Sequence, residues 1–513
     1  MPMRGMKRDR FYRRLFEMIP GLLTWGTILG LFVFAFIKPL WVAIFVIVFD
    51  LFWVTRMIYL TALLVFAYRR LAREKGINWI SRCEELLPAD GLRYPHIYQA
   101  VLFPVYKEGI DVLTTSLDAL IHSNYPRERI IVVLSVEERA GPEPWENAIE
   151  LNKRYKDKFF HFIATRHPDN MPEEIKAKGA NATWGAKILK DFIDSRKIDH
   201  NHVVISCFDA DTCVEREYFG CLAWHYLTNP DRNRFSYQPI PVYNNNIWHA
   251  RSIARILELA SSFMQMIETM RVEKFVTFSS HSMSFKTLVE VGYWPVDMIS
   301  DDSAIYWKCF LHFNGRYRVI PMYVTVSMDV ATEKDIIPTI IKQYKQKRRW
   351  AWGVENFPFV MMGFRKKNSI PLTVKIRRAF NILECHYTWA IWAVIVTFIA
   401  PLPLIFGGGL FRQTTIGYNL PSVSAALFRV SILTIFIFIF ITVKLLPPRP
   451  PDVKPQKRII MIMQWFFSPV VAVVLGSIPA IDAQTRLMLG RYMKFQVTSK
   501  HRHKVKQPLI GLE

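Results

Sequence analysis

The sequence predicts an α/β domain inserted between membrane-spanning helices. Long apolar runs lie at both ends of the chain, and basic clusters flank them. Between them, short β-rich runs alternate with helical patterns. Of the 513 residues, 51% are hydrophobic, 14% aromatic and 21% charged, which excludes a disordered chain and a small disulfide scaffold. Lysine and arginine number 66 against 43 acidic residues, a net charge of +23. Such an excess fits a membrane surface, an anionic substrate or nucleic acid. It clusters beside the apolar runs and no nucleic-acid motif accompanies it, so the membrane and an anionic substrate are the expected partners. The six cysteines include no CxxC pair and read as reduced thiols of a cytosol-facing protein. No small-residue cleavage site follows the first apolar run, so a cleavable signal peptide is not expected.

Residues 1–75 open with Arg4, Lys7, Arg8, Arg10, Arg13 and Arg14. Apolar runs at 19–37 and 40–68 follow, separated by Lys38-Pro39 and closed by Arg69, Arg70, Arg73 and Lys75. About 20 helical residues cross a bilayer core, so each run is long enough. Basic flanks at both ends of this hairpin place both ends in the cytoplasm, in a cell's inner (plasma) membrane. Asp50 and Arg56 fall inside the second run and are expected to face other helices.

Residues 96–375 form the expected cytoplasmic domain. Strands are expected at 98–106, 129–136, 159–164 and 202–208, with a helix at 110–122, an alternation that implies parallel strands. Residues 376–480 hold further apolar runs at 387–406, 425–443 and 459–480. A Pro- and Lys-rich stretch at 446–458 is expected on the cytoplasmic side. Three full crossings here would put the tail, 481–513, on the far side from the domain. Either another segment exists near 407–422 or one run is re-entrant; Pro469 and Pro479 point to the last.

Three motifs carry chemistry. Asp209-Ala-Asp211 follows an apolar strand, at the edge where open α/β sheets bind ligands. Two carboxylates there suit Mg²⁺ or Mn²⁺ shared with a diphosphate. Asp301-Asp302 is an adjacent pair whose repulsion raises one pKa towards that of a base, while Asp302 before Ser-Ala-Ile-Tyr-Trp also suits a helix N-cap. Gln346-Lys-Arg-Arg349-Trp350 offers cations for a diphosphate and an indole face for a sugar; a basic helix on the membrane surface has the same composition.

In this order, Asp209-x-Asp211, Asp301-Asp302 and Gln346-x-x-Arg349-Trp350 resemble the processive-type family 2 glycosyltransferases, the cellulose, chitin and hyaluronan synthase group. Phe495-Gln-Val497-Thr498-Ser-Lys500 is similar to the gating loop of cellulose synthases. Smaller matches are Pro104-Val-Tyr106-Lys-Glu108, Lys176-Ala-Lys178-Gly-Ala-Asn181 and Ser282–Lys286. Where the family usually has Asp-Asp-Gly, this chain has Glu137-Glu138-Arg139, so the uracil contact passes to a longer side chain.

The resemblance implies a GT-A fold, a Rossmann-like mixed sheet, that moves a sugar with inversion from a nucleotide-sugar, of UDP type, to a glycan or lipid-linked acceptor in polysaccharide synthesis. It implies Asp302 as general base and Asp209 and Asp211 as metal ligands. Glu137, Glu138, Lys178, Asn181, Asp209, Gln346, Arg349, Trp350, Thr498 and Lys500 become the expected donor-binding and gating residues. Transfer of one sugar to a polyprenyl-phosphate carrier is the nearer alternative. A transporter with a soluble regulatory domain explains the helices and the charge but not four ordered motifs.

Overall fold

The computed structural model describes residues 2–87 and 91–493. Thr498 and Lys500, with the gating-like motif, lie outside the described residues. Eight strands form one mixed sheet in the order β3-β2-β1-β4-β7-β6-β8-β5. They are β1 (Tyr98–Val105), β2 (Ile130–Glu137), β3 (His161–His167), β4 (Val203–Cys207), β5 (Cys213–Val214), β6 (Phe235–Tyr243), β7 (His281–Ser284) and β8 (Arg318–Met328). The run β3-β2-β1-β4 is parallel, as the alternation of strands and helices implies. Every residue of β2 and β4 is buried, which accounts for their continuous apolar sequence.

Beyond β4 the sheet changes character, because β7 runs antiparallel to β4 with His281 opposite Cys207. The carboxyl ends of β1, β2 and β4 therefore meet the start of β7 at one edge. This brings Tyr106, Glu137, Asp209 and the Thr277–His281 segment together.

The domain core begins before residue 96. Trp79 is buried, and its backbone N–H donates to Glu217 Oε2 at 2.9 Å. On the membrane side, Leu64, Ala67 and Leu71 of the second helix share one apolar cluster with β6, the Ser252–Thr269 helix, Ile441 and Trp465.

Among the described residues, five helical runs are long and apolar enough to cross a membrane: Lys7–Ile37, Pro39–Glu74, Leu372–Phe406, Thr415–Leu445 and Lys457–Met488. The fourth run starts ten residues earlier than its hydropathy predicts and absorbs Pro421, and Gly408–Arg412 is a short helical turn rather than a further crossing. Both charges inside the second run do face other helices. Asp50 accepts from Ser424 at 2.8 Å, and Arg56 is ion-paired with Glu384.

Like the third run, which holds a π-helical segment over Ile395–Ile399, the last run is not a continuous α-helix. It is interrupted by a 3₁₀ turn over Gln464–Phe467 and a π-helical segment over Ala472–Ser477. Near its start, Gln464 Oε1 accepts from Arg255 of the domain at 2.9 Å; near its end, Asp482 pairs with Arg348 of the domain at 2.9 Å. Held at both ends by the same domain, this run lies along it. If it does not cross, the other four runs return residue 493 to the side of the N-terminus, as the re-entrant expectation has it. Arg14 donating to Leu487 O at 2.8 Å fits that arrangement.

This topology is checked with single cysteines in a cysteine-free background. A membrane-impermeant maleimide is expected to reach position 409 from outside intact cells, and positions 452 and 491 only after permeabilisation. Outside labelling at 491 would show that the last run crosses.

Candidate active site

A cavity of about 200 Å³ opens at the carboxyl edge of the sheet. Its walls include Tyr106, Glu108, Glu137, Lys178, Asn181, Asp209, Asp301, Asp302, Asp329, Gln346, Arg349 and Trp350. Three sequence-distant motifs thus meet in one place. At its centre stands Lys178 Nζ, 2.7 Å from Asp209 Oδ1 and 2.9 Å from Asp302 Oδ1. Asp209 Oδ2 also accepts from Ser279 at 2.7 Å.

Lys178 is the first residue of the Lys178–Ser195 helix, and the glycine after it is what lets this helix approach the acidic pair. A Cβ at Gly179 would stand 2.6 Å from Pro295 O and 2.8 Å from Asp301 Cβ, which only glycine avoids. Asn181, in the next turn, is buried and its amide is committed to the scaffold. It donates to Val105 O at 3.2 Å and Ser135 O at 2.8 Å, and accepts from Ser135 Oγ at 2.7 Å, so it fixes the ends of β1 and β2 to this helix.

The acidic pair divides its work. Both residues lie in the first turn of the Asp301–His312 helix, and the N-cap is Ser300 rather than Asp302. Asp301 is buried with its Oδ2 unbonded, and burial followed by the neighbouring Asp302 charge pushes its carboxyl well above the usual range. Asp302 is the member that engages Lys178. Beneath it, His281 Nδ1 lies 3.1 Å from Phe278 O, while Trp294 Nε1 donates to His281 Nε2 at 3.3 Å. That pattern requires the neutral imidazole with its proton on Nδ1, and burial lowers the ring's pKa. The 3.7 Å approach of His281 to Asp302 is therefore not an ion pair.

The Ile336–Ala351 helix carries Gln346, Arg349 and Trp350 to the opposite wall. Its basic cluster disperses instead of converging on one anion. Lys342 pairs with Glu333 at 2.7 Å, Lys347 with buried Glu258 at 3.2 Å and Arg348 with Asp482 at 2.9 Å. Only Arg349 of this cluster lines the cavity. Gln346 is buried with Oε1 unbonded, an acceptor open to a ligand. Trp350 packs against Tyr243 and Phe278, with Lys347 Nζ 3.7 Å from its ring centre.

Glu137 lines the cavity beside Arg139, its ion-pair partner, and burial raises its pKa. Glu138 points elsewhere, accepting from Asp169 N at 3.1 Å. Asp211 is fully buried behind the wall, where Oδ2 accepts from Asp329 N at 2.8 Å.

Sequence reasoning missed Glu355 and Asp329. Glu355 Oε1 accepts from Ile299 N, Ser300 N and Ser300 Oγ at 2.8–2.9 Å, and Oε2 accepts from Trp352 Nε1 at 2.8 Å. It ties the end of the Gln346–Trp350 helix to the loop that precedes Asp302. Its position five residues beyond Trp350 was the only available signal.

Asp301 supports a prediction. A carboxyl that binds its proton more tightly in the fold contributes stability at low pH and loses it as pH rises towards the folded pKa. Asp301→Asn is expected to melt higher than the parent at pH 7, with the gap closing towards pH 4. A lower melting temperature at pH 7 would show that a charged Asp301 is being stabilised.

Residues 204–445 match the family model described as Glycosyl transferase family group 2. No curated protein matches the chain. Among solved structures, it is similar to the mannosyltransferase PcManGT from Pyrobaculum calidifontis in complex with GDP-Man and Mn²⁺, at 15% identity and a TM-score of 0.40, over 75% of this chain and 99% of that one. It is also similar to residues 1–349 of S. aureus TarS in complex with UDP-GlcNAc, at 12% identity and a TM-score of 0.36, over 78% and 94% of the two chains. The matched stretch, a little under half of the chain, takes in Asp209 and Asp211, the acidic pair and the Gln346–Trp350 motif, and in it the chain is similar to the family 2 glycosyltransferases.

Proposed function

We propose that this enzyme transfers a sugar from a nucleotide-sugar donor, of UDP type, to a hydroxyl of a glycan or lipid-linked acceptor, with inversion, in polysaccharide synthesis. The observation that carries this reading is the placing of Asp302, Lys178 and Asp209 in one cavity opposite Gln346, Arg349 and Trp350. Basic flanks on the membrane helices place the domain in the cytoplasm, where nucleotide-sugars are found.

In the reaction, the acceptor oxygen bonds to the anomeric carbon as the bond from that carbon to the diphosphate breaks. The hydroxyl proton passes to Asp302. The Lys178 ammonium, 2.9 Å from Asp302 Oδ1, occupies this carboxylate at rest. A bound diphosphate competes for Lys178, and its movement towards the donor frees Asp302 as it neutralises the leaving group. Arg349 adds a second cation for the same charge. Trp350 offers an apolar face to the acceptor ring.

A divalent cation fits this site. The Asp209 carboxylate already holds a cation, Lys178, and hard oxygen ligands suit Mg²⁺ or Mn²⁺. Asp209 would hold such an ion with Asp211 behind it, and the ion would offset charge on the diphosphate.

Asp302→Asn is expected to retain donor binding and lower transfer by about two to four orders of magnitude, measured at saturating donor and acceptor. Near-normal transfer would remove Asp302 as the base. Replacing Asp209 and Asp211 with Asn is expected to abolish the Mg²⁺- or Mn²⁺-dependent part of donor binding in calorimetry. Unchanged affinity with and without chelator would exclude both as ligands.

A further inference from the structure

A second and larger cavity, about 1410 Å³, lies apart from the one that holds the motifs. It lies where the second and fourth membrane helices end, between Tyr68–Lys75 on one side and Lys444–Pro448 on the other. The Pro-rich strap after the fourth helix closes it, clamped by Trp248 Nε1 donating to Pro447 O at 3.1 Å and by His249 against Asp452 at 2.9 Å.

Seven lysine and arginine side chains line this cavity against three carboxylates. Two of those carboxylates have partners already: Glu333 pairs with Lys342 at 2.7 Å, and Glu215 accepts from Thr325. The third is Asp335. Arg255 is the decisive residue. It is 1% exposed, and its guanidinium donates only to neutral groups: Gln464 Oε1 at 2.9 Å, Ser252 Oγ at 2.9 Å and Ala250 O. Among the described residues no carboxylate lies within ion-pair distance of it. Burial alone pushes it down to about 10. Arg251 and Lys457 stand close enough to act on each other as like charges, and Lys457 also feels Arg255. A buried, uncompensated cation is costly, and gathering further cations around it adds to the cost unless an anion occupies the space. Leu71, Ala72, Leu445, Leu446 and Ile460 give the same cavity an apolar side.

We propose that this cavity is a binding site for a phosphate-bearing anion, with Arg251, Arg255 and Lys457 as its cationic ligands. A lipid headgroup and a soluble phosphate ester share that chemistry. The helix ends and apolar wall favour the lipid. The site is separate from the donor cavity but adjoins it. Asn245, in its wall, donates to Asp211 O and to Asp329 Oδ1, both at 3.0 Å, and Asp329 lines the donor cavity.

The test uses the full chain in detergent, titrated with dioctanoyl phosphatidylglycerol, dioctanoyl phosphatidylcholine and glycerol 3-phosphate. Arg255→Gln risks the fold, so the working variant is Arg251→Gln with Lys457→Gln, which leaves Arg255 and its hydrogen bonds in place. Selective binding of phosphatidylglycerol, weakened about tenfold or more in the variant, is the expected result. Equal binding of glycerol 3-phosphate, weakened in the same way, supports the site with a soluble occupant. No binding by either anion, equal binding of phosphatidylcholine, or binding unchanged in the variant overturns it.

Discussion

Placing Asp209, Asp301 and Asp302 around one small cavity creates a repulsion that the fold must offset. Lys178 supplies the offset, with one ammonium shared between Asp209 and Asp302. Asp301, left outside that bridge and buried, keeps its proton instead. The arrangement needs the helix start at Lys178 to come within contact of the acidic pair, and Gly179 permits that approach. Asn181 then holds the same helix to the ends of two strands. Stability and chemistry therefore depend on the same few ångströms of backbone.

The opposite wall is organised by a different device. Glu355 gathers four donors from the loop before Asp302 and from Trp352, and so ties that loop to the end of the Gln346–Trp350 helix. Below them, the buried Lys347–Glu258 pair anchors the helix to the domain. Breaking one partner of such a pair costs far more than the pair contributes. This favours a rigid wall opposite Lys178.

Much of this was legible in the sequence, for definable reasons. The parallel half of the sheet was readable because doubly buried strands such as β2 are continuous apolar runs. Three motifs stood out because each places charge at the end of an element. The antiparallel β7, only four residues long, leaves too short a pattern to read, and the turn in sheet direction went with it. The basic cluster was misleading in one respect: composition shows five cations from Lys342 to Arg349 but not their partners, of which Glu258 and Asp482 lie far along the chain. Glu355 carried no pattern of its own. The parity conflict was visible in the sequence; the two contacts at Gln464 and Asp482, which bear on it, were not.

The cluster shared by Leu64, Leu71, β6, Ile441 and Trp465 has a bearing on how the chain is made. Its members span some four hundred residues of sequence, and the last of them leaves the ribosome long after β6 and β8 have been synthesised. Until then, the membrane-facing side of the catalytic layer lacks its cover, and an apolar surface on a nascent domain invites misassociation. The domain thus cannot mature as an autonomous soluble unit that is later tethered. Its core is completed only when residues of the fourth and fifth apolar runs, Ile441 and Trp465 among them, pack onto it.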